Sequence, residues 1–195
     1  HFHPVLPVTL ANPSVGVNEV LELIVGGFPT PAEHGLPTAT TPDGGAAPAL
    51  SCDPNAPLCA EVVQTTSDQF AGRLSLVRVF SGTLRADSLL HVSGHFLTDR
   101  GHSEHDDDER VGAISSALGP RLTPVGSGVA GDIVTVARLN HAETGDTLSS
   151  PDTPLLVEPW LMPDPLLPVA VSAASRSDED KLSTALGRLQ AEDPT

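Results

Sequence analysis

The side chains best suited to chemistry lie in one polar stretch, GHFLTDRGHSEHDDD, at residues 94–108. Imidazole and carboxylate groups are common ligands of divalent metals, and this stretch and its flank supply both kinds. They are His91, His95, His102, His105, Glu104, Asp106, Asp107 and Asp108. Their spacing is irregular, and a His- and Asp-rich turn between two strands is ordinarily solvated. The sequence therefore favours solvated charge over a metal site, with His102 and His105 as the candidate ligands if a metal binds.

Other signatures of catalysis are missing from the sequence. Neither a G-x-x-x-x-G-K-[ST] phosphate loop nor an N-K-x-D motif occurs, so the chain lacks the usual means of holding nucleotide phosphates. No Ser or Cys lies in a nucleophile motif such as G-x-S-x-G. The separation of Cys52 and Cys59 fits neither a zinc knuckle nor a disulfide framework, so free thiols are expected. We predict no catalytic residue and no cofactor in this chain, which leaves binding.

Length, composition and charge limit what the chain can bind. A chain of 195 residues holds one ordinary domain, or a small domain with pieces of its neighbours. The 19 Pro and 17 Gly argue against a helical bundle, and 3% aromatic residues predict a modest core of Val, Leu, Ile and Ala. RNA binding normally begins when Lys and Arg neutralise phosphates. Because the formal net charge is -15, any contact with RNA must be local.

Targeting signals are also missing. The sequence contains no apolar run long enough to span a membrane and no secretion signal, so a cytoplasmic protein without membrane contact is expected. It starts at His1 without Met and stops within what looks like a folded element. These features predict a fragment, expected to be a monomer, of a longer polypeptide.

The elements that must position these groups are mostly β-strands. Residues 58–158 contain short β-prone runs separated by turn residues, with a spacing that favours an all-β barrel. The runs are CAEVVQT, RLSLVRVF, SLLHV, RVGAISS, DIVTVARL and PLLVE. The fold class is therefore mainly β.

The stretch at residues 70–90, FAGRLSLVRVFSGTLRADSLL, predicts a hairpin that turns at Ser81-Gly82. In its first strand, Leu74 and Leu76 share one face while Val77 and Val79 share the other. Either both faces are buried or a bulge shifts the phase, and both alternatives suit a small barrel.

A strand and a helix are predicted before the barrel, at residues 1–28. An extended apolar run, PVLPVTL, is followed by a helix whose apolar residues recur with helical spacing. They are Val17, Val20, Leu21, Ile24 and Phe28. Residues 29–57 then predict a Pro-rich linker, extended and poorly packed.

A second piece follows the barrel, at residues 159–195. It comprises an extended connection, PWLMPDP, a strand in LLPVAVSA and a helix in SDEDKLSTALGRLQAEDP. Ser177 and Asp180 predict a capping box at the start of this helix, and Pro194 ends it. This piece lacks further strands to pair with, so it should be mobile or should dock on the barrel.

Motifs in register along the chain resemble those of elongation factor G. GRLSLVRVFSGTLRADSLL resembles the hairpin that opens the second domain of translational GTPases, and residues 128–133 and 143–148 resemble its "A-G-D-I" and "T-G-D-T-L" turns. Pro163-Asp164-Pro165, residues 178–182 and residues 189–195 resemble the entry to the third domain. The chain is identified as a member of the elongation factor G-like translational GTPases, a paralogue of actinobacterial type. The resemblance assigns residues 1–28 to the end of the nucleotide-binding domain, 58–158 to the second domain and 159–195 to the third.

The resemblance implies a role for the parent protein and for this part of it. The parent would bind GTP and Mg²⁺ and act on the ribosome in translocation. This part would contact small-subunit ribosomal RNA and pack on the parent's own GTPase domain. The candidate contact residues are Arg73, Arg78, Arg85, Arg110, Ser81 and Gly82. Arg85, at a turn, is the strongest candidate, whereas Arg78 is equally suited to an internal ion pair or to a stem packed on the barrel.

Two departures from the family pattern favour an alternative function. Thr9-Leu10 stand where the family has the Ser-Ala pair of the guanine-specificity loop, so this nucleotide-loop remnant is not expected to recognise guanine in the ordinary way. The insert at residues 94–108 is longer and more polar than the family's loop. The alternative is a non-catalytic ribosome- or protein-binding barrel in a paralogue without ordinary translocation activity.

Overall fold

The computed structural model describes residues 5–11, 13–68, 72–119, 121–164 and 167–193. The chain divides into two compact units, His1–Gly35 and Leu36–Thr195. In the first, helix α1 spans Val17–Gly27, as the apolar spacing predicts. The extended run before it is not a strand, and its ladder contact among the described residues is a bridge between Thr9 and Val15. The predicted strand is therefore wrong here, because a strand needs a neighbour to satisfy its backbone.

The second unit is mainly β. Its strands are β1 Ala39–Thr40, β2 Cys59–Asp68, β3 Gly72–Ser81, β4 Thr83–Arg85, β5 Leu89–Gly94, β6 His105–Arg110, β7 Ile114–Leu118, β8 Arg121–Val125, β9 Ser127–Val129, β10 Ile133–Ala137, β11 Thr147–Ser149 and β12 Leu156–Val157. Eight of them form an antiparallel sheet in the order β6-β5-β11-β2-β3-β10-β7-β8, and β1-β12 and β4-β9 form two further pairs. A short 3₁₀ helix, Thr98–Arg100, lies between β5 and β6.

The sheet coils around a single core. Leu90 and Val92 of β5 belong to the same buried cluster as Ile114 of β7, although these strands lie near opposite ends of the sheet order. A flat sheet could not bring them together, so the cluster requires the curvature of a small barrel. The other fully buried members include Val62, Val77, Val79, Leu84, Val136 and Leu148. The predicted mainly β, barrel-type fold is confirmed.

Strand β3 alternates simply between its two faces. Ser75, Val77, Val79 and Ser81 are buried, and the residues between them are only partly covered. The irregularity lies in the register between β3 and β2, which shifts twice: the extra residue is Phe80 of β3 at the first shift and Val63 of β2 at the second. Bulges are therefore present, one in each strand, but they do not shift the phase of β3, which alternates between one buried face and one partly covered face.

The predicted hairpin across Ser81-Gly82 is wrong. Strand β3 pairs with β2 and β10, whereas β4 pairs with β9. Gly82 has a φ of 75°, and a Cβ there would lie 2.7 Å from the carbonyl oxygen of Ala56. The residue therefore turns the chain around a corner between two sheets, packed against residues 53–58. Phe70, where the predicted hairpin starts, lies outside the described residues.

Part of the Pro-rich stretch is packed against the barrel side of the chain's second unit. Strand β1 pairs with β12, and Ala39 is buried in a second cluster with Cys59, Leu155 and Val157. Prolines are tolerated beside such a short edge strand, because the missing N–H groups need not belong to a ladder. The prediction of a poorly packed linker is therefore wrong at β1, while most of the remaining residues of the stretch are exposed.

Helix α2, Glu179–Glu192, forms near the end of the chain as predicted. The capping box is wrong: the helix begins after a 3₁₀ turn, Arg176–Asp178, and Ser175 donates to the Asp178 carboxylate at 2.6 Å. The strand predicted in LLPVAVSA is not formed over residues 167–173, which have no neighbouring strand to pair with. Pro165, Pro194 and Thr195 lie outside the described residues.

Candidate functional site

Arg85 and Arg110 lie beside one turn of the barrel. Both side chains are exposed, Arg85 at the end of β4 and Arg110 at the end of β6. The Arg110 Nη1 donates to the carbonyl of Asp87 at 2.5 Å, and the Ser88 hydroxyl donates to the carbonyl of Arg85 at 2.7 Å. The turn thus holds the Arg110 guanidinium and the backbone of Arg85, and both guanidinium groups are exposed. An exposed guanidinium is suited to bidentate contact with phosphate.

Arg73 and Arg78 lie elsewhere, along β3. Arg73 donates to the carbonyl of Asn140 at 2.7 Å and lies 3.9 Å from the carboxylate of Glu143, so its charge is used within the barrel. Arg78 lies opposite Glu61 in the strand register. Its Nε is buried without a hydrogen-bond partner among the described residues. These surroundings fit the stem-packing alternative for Arg78.

Ser81 and Gly82 are buried, so their contact with RNA would need a rearrangement of this corner. The Gly82 N–H already donates to the carbonyl of Asp53 at 3.0 Å. The neighbouring turn at Gly131 and Asp132 has the structural role expected of it: Gly131 has a φ of 99°, and Asp132 accepts the N–H of Val129 at 2.9 Å.

The polar stretch is more ordered than its composition indicates. β5 and β6 pair from Leu89 opposite Arg110 to Gly94 opposite His105, which places the three aspartates on a strand instead of in a loop. His91 Nδ1 lies 2.7 Å from Asp108, and His95 Nε2 lies 3.0 Å from Asp106. The two imidazoles are only 14% and 16% exposed. The interpretation of a solvated hairpin tip is therefore wrong for these histidines.

His102 and His105 attach the end of the insert to the turn at residues 143–146. His102 Nδ1 lies 2.6 Å from the Glu143 carboxylate. His105 Nε2 lies 3.0 Å from Asp146, and its Nδ1 lies 3.0 Å from the carbonyl of Ser103. Because both partners of His105 are acceptors, both ring nitrogens must carry protons. The ring is an imidazolium, and these histidines too are paired instead of solvated.

The pKa values follow from these contacts. The hydrogen bond to Asp146 raises the pKa of His105 to about 9, opposed by burial and helped by the Ser103 carbonyl. The hydrogen bond from His102 lowers the pKa of Glu143, against the effect of burial. The carboxylate of Asp146 thus stabilises the charged form of His105.

A metal ion is not suggested by this arrangement. Within the described ranges, no group of three or more His, Cys, Asp and Glu side chains is placed to hold one. His102 and His105 direct ring nitrogens at two different carboxylates of one turn, which orders the chain without creating a shared ligand set.

A buried carboxylate and thiol lie on the outer face of β2. Burial raises the pKa of Glu61 to about 7, and its Oε1 has no hydrogen-bond partner in the part of the chain that is described. Burial, with the nearby charge of Glu61, raises the pKa of the Cys59 thiol to about 12. Cys59 and Cys52 are free thiols, as expected. Because the thiolate is the reactive form, Cys59 is chemically inert.

The nucleotide-loop remnant is closed on itself. The backbone of Thr9 pairs with that of Val15 through bonds of 3.0 and 3.2 Å, and its hydroxyl accepts the N–H of Ala11 at 3.1 Å. Leu10 is 86% exposed. The polar groups of Thr9 are thus used within the loop, and Leu10 presents an apolar side chain to solvent.

Sequence reasoning missed two carboxylates that organise the site. Glu109 accepts the N–H groups of Asn140 and Ala142 at 2.7 and 3.1 Å, which fixes the loop before residue 143. Asp146 accepts the N–H of Glu143 at 2.6 Å as well as His105. Asp146 lies in the recognised "T-G-D-T-L" turn, which was a usable signal, whereas the sequence around Glu109 offers none.

The comparisons with known proteins agree with this architecture. A family model described as "Elongation factor G domain 2" matches residues 57–151, and one described as "Elongation Factor G, domain III" matches residues 162–195. Over its whole length the chain is 54% identical to proteins named "Elongation factor G-like protein" in two Mycobacterium tuberculosis strains, CDC 1551 / Oshkosh and ATCC 25618 / H37Rv. The chain belongs to the elongation factor G-like proteins. It spans 28% of the length of these relatives.

A solved structure extends the likeness to the fold. A protein of Thermus thermophilus, known from a crystal structure, superposes with a TM-score of 0.65 and 26% identity, covering 92% of this chain and 23% of that protein. The chain is thus a segment of the translation elongation factor type. In the described parts, neither helix has the length and apolar character needed to cross a membrane.

Proposed function

We propose that this chain is the ribosome-contacting and domain-coupling module of a ribosome-dependent GTPase that acts in translocation during translation elongation. The observation that carries the proposal is 54% identity over the whole chain to elongation factor G-like proteins, combined with the second-domain match. The parent protein would bind GTP and Mg²⁺ outside this chain, which has neither phosphate loop nor N-K-x-D motif. It would work in the cytoplasm.

The surface at Arg85 and Arg110 supports contact with small-subunit ribosomal RNA. Both guanidinium groups are exposed beside an ordered turn, while Arg73 and Arg78 are engaged in or packed on the barrel. The aspartates of β6 would repel phosphate, so RNA would contact the barrel at the turn at residues 85–88. The barrel would also pack on the parent's own GTPase domain.

Ribosome co-sedimentation of the full-length parent, with and without a non-hydrolysable GTP analogue, tests the proposal. We expect nucleotide-dependent binding that Arg85→Ala with Arg110→Ala weakens, with a salt slope reduced by about 1 for each phosphate that the variant no longer neutralises. Arg121→Ala, an exposed arginine on β8, is the matched control. Wild-type binding by the double variant would refute the proposed surface, and absence of binding in both nucleotide states would refute the function.

The second candidate is a non-catalytic ribosome- or protein-binding barrel in a paralogue without ordinary translocation activity. It is favoured by Thr9-Leu10, whose loop is closed by its own backbone, and by the ordered insert after β5. Ribosome binding that is equally strong with and without the nucleotide analogue would support this candidate over the first.

A further inference from the structure

We infer that residues 95–104, the clamp segment, fasten the chain that leaves the barrel and helix α2 to the barrel itself. The clamp segment is held at its barrel side by His102, whose ring is only 7% exposed and bonds Glu143 at 2.6 Å. The next residue of the chain beyond the segment, His105, bonds Asp146 at 3.0 Å. One turn of the barrel thus receives both histidines.

Arg100 is the contact between the clamp segment and the departing chain at residues 159–164. Its guanidinium donates to the carbonyl of Pro163 at 2.9 Å and to that of Met162 at 3.0 Å, and lies 3.3 Å from Asp164. The Arg100 side chain is 16% exposed, and its contact with the carbonyl of the buried Met162 is partly shielded from water. Asp164 is exposed and adds little. A planar fork on consecutive carbonyls fixes both the position and the direction of the departing chain.

An apolar contact reinforces the polar one over the same barrel turn. A Cβ on Gly145 would lie 2.9 Å from Leu97, 3.2 Å from Met162 and 3.5 Å from Pro159. These side chains, from the clamp segment and from the departing chain, therefore converge where the turn has no side chain. Met162 is 4% exposed as a result. Gly145 is needed here for space as well as for its φ of 97°.

Helix α2 is held by both the clamp segment and the barrel turn at residues 143–146. Gln190 donates to the carbonyl of Gly101 in the clamp segment at 2.9 Å, and the Thr144 hydroxyl donates to the carbonyl of Glu192 at 3.2 Å. Gln190 and Glu192 both lie in the last turn of the helix, and the Glu192 carbonyl is one of those that lack a partner within the helix. The partner that this surface fits is therefore helix α2, which follows the barrel in the same chain. The clamp segment fastens this helix to the barrel, and these contacts hold whether or not the parent binds ribosomes.

Tryptophan fluorescence tests the clamp directly, because the chain has one Trp and no Tyr, and Trp160 lies in the departing chain. It is 39% exposed. In the chain with Arg100→Ala we expect acrylamide quenching of Trp160 to increase about twofold as the segment is released. Amide hydrogen exchange in helix α2 should accelerate about tenfold, since removing the guanidinium from the two carbonyls costs roughly one strong hydrogen bond's worth of free energy. Arg121→Ala should change neither readout.

Unchanged quenching and unchanged α2 exchange in Arg100→Ala would overturn the inference, as would a wild-type chain whose α2 amides show no protection. Far-UV circular dichroism checks that the barrel stays folded in the variant. If it does not, Gln190→Ala provides the second test, because it removes a contact of the helix alone. It should accelerate α2 exchange, and wild-type exchange rates in that variant would equally refute the clamp.

Discussion

Replacing His105 by Gln should remove a large part of the pH dependence of the chain's stability. His105 is an imidazolium between the Asp146 carboxylate and the Ser103 carbonyl, and its pKa is raised to about 9 in the folded chain. A group whose pKa is raised by folding stabilises the fold while it is protonated. The stabilisation is therefore complete below the unfolded value of 6.5 and is lost as the pH rises through about 9.

The magnitude follows from the size of the pKa shift. A rise from 6.5 to about 9 corresponds to roughly 3 kcal/mol at about 1.4 kcal/mol per unit. The ring is 20% exposed, so solvent screens part of the interaction. We expect about 2 kcal/mol of unfolding free energy to depend on this proton. Gln keeps a polar side chain of similar length that cannot carry the charge.

Urea unfolding followed by far-UV circular dichroism measures the effect at about pH 5.5 and about pH 9.5. The difference in unfolding free energy between the wild-type chain and His105→Gln should shrink by about 2 kcal/mol from the lower to the higher pH. His34→Gln is the matched control, because the His34 ring contacts the carbonyl of its neighbour Gly35 and no ion pair of His34 with a carboxylate is formed among the described residues. A change below about 0.5 kcal/mol in the His105→Gln difference would refute the charge assignment.

Three further substitutions test the core, a corner and a buried charge. Glu61→Gln should stabilise the chain by about 1–2 kcal/mol at about pH 8 and by little at about pH 4.5, since folding raises the pKa of this carboxyl to about 7 and the folded state loses stability as the carboxyl ionises. Unfolding in urea at the two pH values measures the effect. A loss of stability in the variant at the higher pH would instead reveal an ion-pair partner of Glu61. Leu148→Ala should cost about 2–5 kcal/mol, against less than about 0.5 kcal/mol for the exposed Leu118→Ala, and equal midpoints in urea would contradict the assigned core. Gly82→Ala should lower the free energy of unfolding by about 3 kcal/mol and Gly44→Ala by about 1 kcal/mol, as measured by thermal unfolding. Both glycines have positive φ, but of the two only Gly82 faces backbone atoms at 2.7 Å. Equal losses would show that the space around Gly82 does not matter.

The clamp segment offers a structural reason for the longer, more polar insert at residues 94–108. The polar side chains in and beside residues 94–108 pair with one another and with the barrel. His91 and His95 bond carboxylates of β6, and His102 bonds a turn of the barrel. A long acidic hairpin would otherwise repel itself and remain mobile. Paired in this way, it offers Arg100 and the carbonyl of Gly101 to the chain that follows the barrel.

The sequence by itself determined the two helices, the mainly β character of the middle of the chain and the family, while the strands predicted before α1 and before α2 did not form. The recurrence of Val17, Val20 and Ile24 was sufficient to predict α1, and the turn containing Gly131 and Asp132 was recognised from its motif. These features depend on residues within a few positions of one another, so a local pattern contains the information. The motifs of the second and third domains are likewise short local patterns, so the sequence alone was sufficient to recognise them.

Only the tertiary structure decided which strands pair and which charges meet. Thr40 pairs with Leu156, a sequence separation of 116 residues, which is why part of a Pro-rich stretch that was expected to be loose is packed at β1. Gly82 looks like a hairpin turn until the neighbouring backbone is known, and packing makes it a corner instead. The pairing of His105 with Asp146 likewise depends on the sheet order, which brings the start of β6 next to the turn before β11. No local pattern specifies such contacts, because their free energy comes from burial and electrostatics between distant parts of the chain.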